Sequence, residues 1–293
     1  MLGDSVLGLA AIIATTLSWS LAPVFVSRAA RRKGNMSPLV FNAARMLFAM
    51  IILVPMAYLL EGFPLDTPWF SLRFELGVWI GGVFSTVIGD TLFVYSVSVV
   101  GASIALPISY LFVIWSALYD YLRGVVGGKV LVAAGLAFIG VWLVSRSARN
   151  DAKDEQAENA ALPIMAAIGT SLVWAVSMYA YKAAMSVSGE YSVAAARSVA
   201  TVAILLPYVL RVKELEGVLI DTFISSFFGY FFGTVTFLVA LGLLPASIVG
   251  VGIALTPFVT QLLSIPLARE KVGAETIIGG IVLAIAIALT QLR

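Results

Sequence analysis

Residues 40–55 read VFNAARMLFAMIILVP, apolar throughout except for Asn42 and Arg45. As a helix this stretch would run ~24 Å at 1.5 Å per residue, most of the way through a bilayer core. A guanidinium near the centre of such a segment costs at least ~2.5 kcal/mol on insertion scales, so it calls for a partner or a polar pathway. The chain contains a second copy. NAARMLFAMIILVP at 42–55 matches AAARSVATVAILLP at 194–207, so that Arg45 falls on Arg197 and Pro55 on Pro207.

The match extends along the chain. TLSWS at 16–20 pairs with SLVWA at 171–175, setting Trp19 opposite Trp174. GDTLFVYSVSVVGASIALP at 89–107 pairs with GTVTFLVALGLLPASIVGV at 233–251, aligning Gly89 with Gly233 and Ala102-Ser103 with Ala246-Ser247. The same register carries Gly135 onto Gly279. Matches in one shared order point to an internal duplication.

Composition sets the solvent. The chain has 293 residues, of which 61% are hydrophobic and only 12% charged, with a mean hydropathy of +1.03. A water-soluble fold of this size carries about twice that share of charge, so part of the solvent must be lipid. The net charge of +2 argues against nucleic acid as a partner. Cysteine and histidine are absent. Disulfides, thiolate nucleophiles, imidazole bases and His/Cys metal sites are therefore excluded, and the sequence implies neither a metal nor a cofactor. With no G-x-x-x-x-G-K-[ST] loop, intrinsic ATP hydrolysis is not expected. No clustered catalytic constellation stands out, and an enzyme is not expected.

The apolar runs predict an all-α integral membrane fold of ten transmembrane helices. They lie near 5–27, 37–60, 75–99, 102–122, 129–146, 162–183, 191–210, 221–243, 246–267 and 273–292. The first reads as a retained helix and not a secretory signal, because no basic residue precedes Arg28. The run 75–122 is too long for one helix, and Gly101 offers the turn that splits it. The polar stretch 145–161 reads as an exposed linker. The organisation expected is a first five-helix repeat over 1–147, a linker over 148–160 and a second repeat over 161–293. An odd number of helices per repeat forces the second to enter from the opposite side, the inverted topology of many secondary transporters. Basic residues concentrate in the loops after odd-numbered helices, which by the positive-inside rule places both termini outside the cytoplasm.

These ordered segments resemble the EamA branch of the drug/metabolite transporter superfamily over nearly the whole chain, in two copies. The resemblance rests on Trp19 and Trp174 in the first helix of each repeat, and on Arg45 and Arg197 early in the second. It rests further on Gly89 with Ala102-Ser103, and on Pro257 and Glu270 in TPFVTQLLSIPLAREKVG at 256–273. The first repeat departs from the pattern, with Val113 where Pro257 would align and Val126 where Glu270 would. The resemblance implies a multi-pass cell-membrane exporter of amino acids and other small metabolites, with helices 5 and 10 peripheral. Several members of the superfamily keep both termini in the cytoplasm, against the charge bias, so orientation stays open. The partners implied are a small-molecule substrate and the lipid bilayer, with the protein a monomer or homodimer. The alternatives are an organophosphate or nucleotide-sugar carrier, with Arg45, Arg197 and Lys182 meeting phosphate, or a non-transporting membrane scaffold or enzyme.

Candidate pathway residues are Trp19, Arg45, Asp90, Tyr95, Ser116, Trp174, Ser177, Tyr181, Arg197 and Thr260. Arg45 and Arg197 are repeated and read either as structural ties or as carboxylate contacts. Asp90 aligns with Thr234, so its charge exists in one repeat alone, and it is the candidate for proton coupling or for a substrate amine. Asp120, beside Arg123 near a helix end, reads as an interfacial ion pair. Gly81, Ser85 and Gly89, and likewise Ser225, Gly229 and Gly233, recur every four residues and so share one helix face for close packing.

Overall fold

The computed structural model describes residues 2–33, 37–100, 105, 108–150, 161–268 and 273–291, and among these every regular element is helical. Helix α1 is Leu2–Lys33 and α2 is Pro38–Glu61. Next comes α3, Leu72–Leu76, which passes into a π-helical segment, Gly77–Asp90, and continues as α4, Thr91–Val100. Helices α5, Phe112–Leu122, and α6, Gly128–Asn150, complete the first repeat. The second repeat opens with α7, Ala161–Ala184, α8, Glu190–Ile204, and the short α9, Leu206–Val209. Helix α10, Leu219–Ser226, passes through a second π segment, Phe227–Phe232, into α11, Gly233–Leu243. The last helices are α12, Ala246–Ile253, α13, Thr256–Ala268, and α14, Ala274–Gln291.

Seven helical stretches among the described residues are long and apolar enough to cross a membrane, and the shorter apolar Ala274–Thr290 accompanies them. This is a multi-span membrane protein. Helix α6 runs on to Asn150, so the first residues of the expected linker continue a helix; residues 151–160 lie outside the described residues. So do Ala102-Ser103 and Glu270 of the motif. The two repeated prolines act differently. Pro55 sits inside a continuous α2, whereas Pro207 follows a break at Leu205 that separates α8 from α9. Proline lacks the N–H of the helical ladder, and either outcome is open to it depending on its neighbours.

The helices form two compact units, one of Met1–Thr91 with Val176–Leu243 and one of Leu92–Ala175 with Leu244–Arg293. Each draws helices from both repeats. In the first unit, α2 packs on α8, α1 on α11, and α8 on the Gly77–Asp90 segment. In the second, α6 packs on α14. They cross where a Cβ on Gly140 would meet the Gly279 carbonyl at 2.9 Å, and one on Gly279 the Gly140 carbonyl at 2.8 Å. Glycine at both sites lets the backbones touch, a common device where lipid supplies no hydrophobic drive for helix pairing.

Helix ends are tied by carboxylates from other helices. Helix α2 starts at an N-cap, Ser37, with Pro38 in its first turn, and stops at Gly62, whose φ of 71° is the left-handed conformation of a C-cap. Glu61, at its end, accepts from the backbone N–H groups of Tyr191 at 3.0 Å and Ser192 at 2.8 Å. It thereby satisfies the orphan donors that open α8. In the second unit Asp120 accepts from the backbone N–H and hydroxyl of Ser247, at 3.0 and 2.7 Å, and caps α12 in the same way. Asp120 is buried, and its bonds to Ser247 are contacts that the sequence did not announce. At the other end of α2, Asp221 takes Arg28 and Arg32, each at 3.2 Å. Beside it, Ala29, Val40, Phe41 and Ala44 form an apolar cluster with Leu215 and Val218.

The Glu61 cap needs Gly189. A Cβ there would lie 2.3 Å from the Glu61 carboxylate, although a φ of −77° is open to any residue. Gly189→Ala is expected to lower unfolding stability by ~1–3 kcal/mol through loss of the cap. The check is thermal unfolding of the purified protein in detergent; an unchanged midpoint would show that the cap is dispensable.

Candidate functional site

The first unit buries a cluster of charges built from both repeats. Arg45 lies two turns into α2 and Arg197 two turns into α8, and they are 8% and 5% exposed. Each meets the third helix of the opposite repeat. A Cβ on Gly229 would lie 2.5 Å from Arg45 Nη2, and one on Gly82 would lie 2.4 Å from Arg197 Cβ. The glycines are therefore seats, and a methyl group at either would displace an arginine.

Arg45 Nη1 donates to Asn42 Oδ1 and Nη2 to the Ser225 carbonyl, both at 3.4 Å. The Ser226 hydroxyl donates to the backbone carbonyl of Arg45. Arg197 Nη1 donates to the Tyr181 hydroxyl at 2.5 Å and Nη2 to Thr234 Oγ1 at 3.2 Å. Between them stands Tyr230. The Arg45 guanidinium carbon is 4.2 Å from its ring centroid and that of Arg197 is 5.7 Å away. A desolvated cation against an aromatic face contributes ~2 kcal/mol. Such contacts help explain how two guanidiniums stay inside an apolar unit.

Asp90 is the last residue of the first π segment. Its Oδ2 accepts from the Tyr230 hydroxyl at 2.9 Å, and the same hydroxyl lies 3.5 Å from Asn42 Oδ1. The cluster thus joins two guanidiniums and one carboxylate through a single phenol. Its donors exceed its acceptors. Asn42 Nδ2, Arg45 Nε and Arg197 Nε are buried without a hydrogen-bond acceptor among the described residues. The group that complements such a set is rich in acceptors, as a carboxylate is.

The π segments recur in register. Phe227–Phe232 aligns with 83–88, inside Gly77–Asp90, by the pairing that sets Gly89 on Gly233. Widened turns of this kind are rare and concentrate at functional sites. The same register puts Gly82 on Ser226 and Ser85 on Gly229. It puts Tyr230 on Thr86 and Asp90 on Thr234. The arginines are thus symmetric, whereas neither seat glycine has a glycine counterpart and the Asp90–Tyr230 pair has no equivalent.

Of the sequence-derived candidates, Arg45, Arg197, Asp90 and Tyr181 come together here. Trp19 joins them at the edge: its Nε1 donates to the Gly229 carbonyl at 3.0 Å, and its ring lies 4.9 Å from that of Phe237. Ser177 donates to the Ile80 carbonyl at 3.3 Å. Tyr95, Ser116, Trp174 and Thr260 belong to the other unit. There Trp174 stacks with Phe93 and Phe112, at 5.3 and 6.0 Å, and Ser116 donates to Val113 of its own helix at 3.0 Å. Lys182 donates to the Leu241 carbonyl at 2.7 Å. The small-residue face is more specific than helix packing alone: Gly81 receives the Tyr181 ring, Gly229 receives Arg45, and Gly233 receives Trp19.

Sequence reasoning missed Tyr230, Gly82 and the role of Asn42. A signal existed for two of them. Tyr230 is the one hydroxyl-bearing side chain in FFGYFF at 227–232, and Asn42 precedes Arg45 by three residues, one helical turn.

The pattern of the EamA-like transporter family matches residues 6–146 and again 161–292. A solved structure, described as a crystal structure of a protein, is 16% identical with a TM-score of 0.73, covering 99% of this chain and 98% of its own. It is a likeness of fold. No curated protein matches.

If the glycines are arginine seats, Gly82→Ala, against the fixed Cβ of Arg197, should cost ~1–3 kcal/mol by overpacking, and Gly229→Ala, against the mobile end of Arg45, should cost less but still destabilise. Gly135→Ala, where a methyl group meets nothing within 4 Å, should not destabilise. Thermal unfolding of the three variants in detergent decides it, and equal midpoints would refute the seat assignment.

Proposed function

The chain belongs to the EamA-like transporter family, and from that premise we propose that it is a secondary transporter exporting small organic metabolites, amino acids among them, across the cell membrane. Transport proceeds by alternating access between two inverted five-helix repeats, over 1–147 and 161–293, with ten spanning helices in all. The observation that carries the reading is the cluster in the first unit of buried Arg45, Arg197 and Tyr230 with the half-buried Asp90. Charges inside a lipid-embedded fold are costly and mark substrate or ion pathways. The surplus of buried donors supports a substrate bearing a carboxylate. Asp90, the charge without a counterpart in the other repeat, is the site for a proton or for a substrate amine.

The remaining candidates take supporting roles. Trp19, Ser177 and Tyr181 contribute ring and hydroxyl surface to the pathway in the first unit. Tyr95, Ser116, Trp174 and Thr260 do the same in the second. Rings with few hydroxyls suit an amphipathic solute with an apolar body.

Proteoliposomes containing the purified protein should show uptake and counterflow of at least one amino acid or related metabolite from a panel. Asp90→Asn should cut the rate ~10-fold or more or abolish its dependence on a pH gradient. No exchange of any solute would overturn the transport reading, and exchange of phosphate esters alone would favour an organophosphate carrier. Inverted topology has its own check, because the chain has no cysteine. In single-cysteine variants Asp66→Cys and Lys213→Cys, after the second and seventh expected helices, an impermeant maleimide should label from opposite sides of the membrane. Labelling from the same side would refute inversion.

A further inference from the structure

We propose that Tyr230 is a positioning residue that transmits protonation of Asp90 to the Arg45 guanidinium, so that one event, a proton arriving, is read by the side chain placed to meet a carboxylate. This rests on the transport reading above and deepens it, naming the device by which proton and substrate would be linked.

The argument starts from one hydroxyl with one proton. Tyr230 is buried and donates to Asp90 Oδ2 at 2.9 Å, while Asn42 Oδ1 waits at 3.5 Å. That same Asn42 oxygen accepts from Arg45 Nη1 at 3.4 Å. While Asp90 is ionised it holds acceptor capacity only, so the phenol must donate to it. A proton taken from water onto Asp90 Oδ2, the oxygen that accepts from the phenol, reverses the bond. The carboxylic acid then donates to the phenol oxygen, and the phenol proton turns to Asn42 Oδ1. The added proton stays on Asp90, and no other proton leaves. Asn42 Oδ1 has two lone pairs, so the phenol proton then shares that oxygen with Arg45 Nη1 and loosens its hold on the guanidinium.

Electrostatics act in the same direction. Charged groups converge on two phenols: Asp90, Arg45 from α2 and Arg197 from α8 all act on Tyr230 in the second π segment, and Asp90 and Arg197 act on Tyr181 in α7. Ionised Asp90 offsets two guanidiniums held against one ring, at 4.2 and 5.7 Å. Neutral Asp90 leaves like charges facing each other across Tyr230 in a low-dielectric setting. Arg45 has the weaker tethers, two bonds at 3.4 Å, against 2.5 and 3.2 Å for Arg197. Arg45 is the one to move.

Placement in the repeats fits a one-way device. The arginines are duplicated, but Tyr230 aligns with Thr86 and Asp90 with Thr234. Only one side of the pseudo-symmetric cluster can report a proton.

The test uses protons alone as the probe, on the full chain in lipid nanodiscs, read by infrared difference spectroscopy across a pH titration. Wild type should show a carboxylic-acid carbonyl band that vanishes in Asp90→Asn. It should also show a guanidinium change that vanishes both there and in Arg45→Lys. Tyr230→Phe keeps the ring under both arginines and removes only the hydroxyl. It should retain the carbonyl band, lose the guanidinium change and unfold at the wild-type temperature. A guanidinium change that persists in Tyr230→Phe would overturn the relay, as would the absence of any carbonyl band assigned to Asp90. Because no substrate enters the measurement, either result stands apart from the counterflow outcome that decides transport itself.

Discussion

A guanidinium cannot be neutralised at ordinary pH, so an arginine inside an apolar bundle must be answered by the bundle itself. Much of the first unit can be read as that answer, given twice. Arg45 and Arg197 each lean on a glycine of the opposite repeat, Gly229 and Gly82. Each takes backbone or hydroxyl acceptors nearby, and both lie against one phenol ring. The close approach of α2 to α8 places both charges together, and the carboxylate cap of Glu61 on α8 sets the depth of one helix against the other.

Function in a duplicated fold depends on where the copies diverge. Two identical halves would respond identically, and a cluster with exact pseudo-symmetry would have no preferred direction. Here the arginines and the widened turns of the third helix recur in both repeats. The acid and the phenol occur once each, at non-equivalent positions, and they meet. The duplicated parts supply architecture, and the divergent pair supplies a group whose charge can change.

Much of this was legible from residue order. Membrane helices, the duplication, the EamA resemblance and the pairing of Arg45 with Arg197 follow from hydropathy and repeated motifs, because lipid demands long apolar helices and duplication preserves register. Asp90 stood out because it breaks that register. Tyr230 did not, since an aromatic in an aromatic run reads as packing until its hydroxyl is seen against Asp90. Gly82 was hidden for a related reason: its neighbour is a side chain from a helix more than a hundred residues away. The Asp120 cap was not legible because its partner, Ser247, opens a helix of the other repeat.

The sequence by itself determined that the chain lives in a bilayer, that it is built twice and that it carries a charge in one copy without its like in the other. Hydropathy and register are one-dimensional properties, and they can be read along the chain. Only the tertiary structure decided that the two arginines share one ring, that glycines serve as their seats, and that a phenol ties them to Asp90. Those are distances between helices of different repeats, set by packing, and no local spacing encodes them.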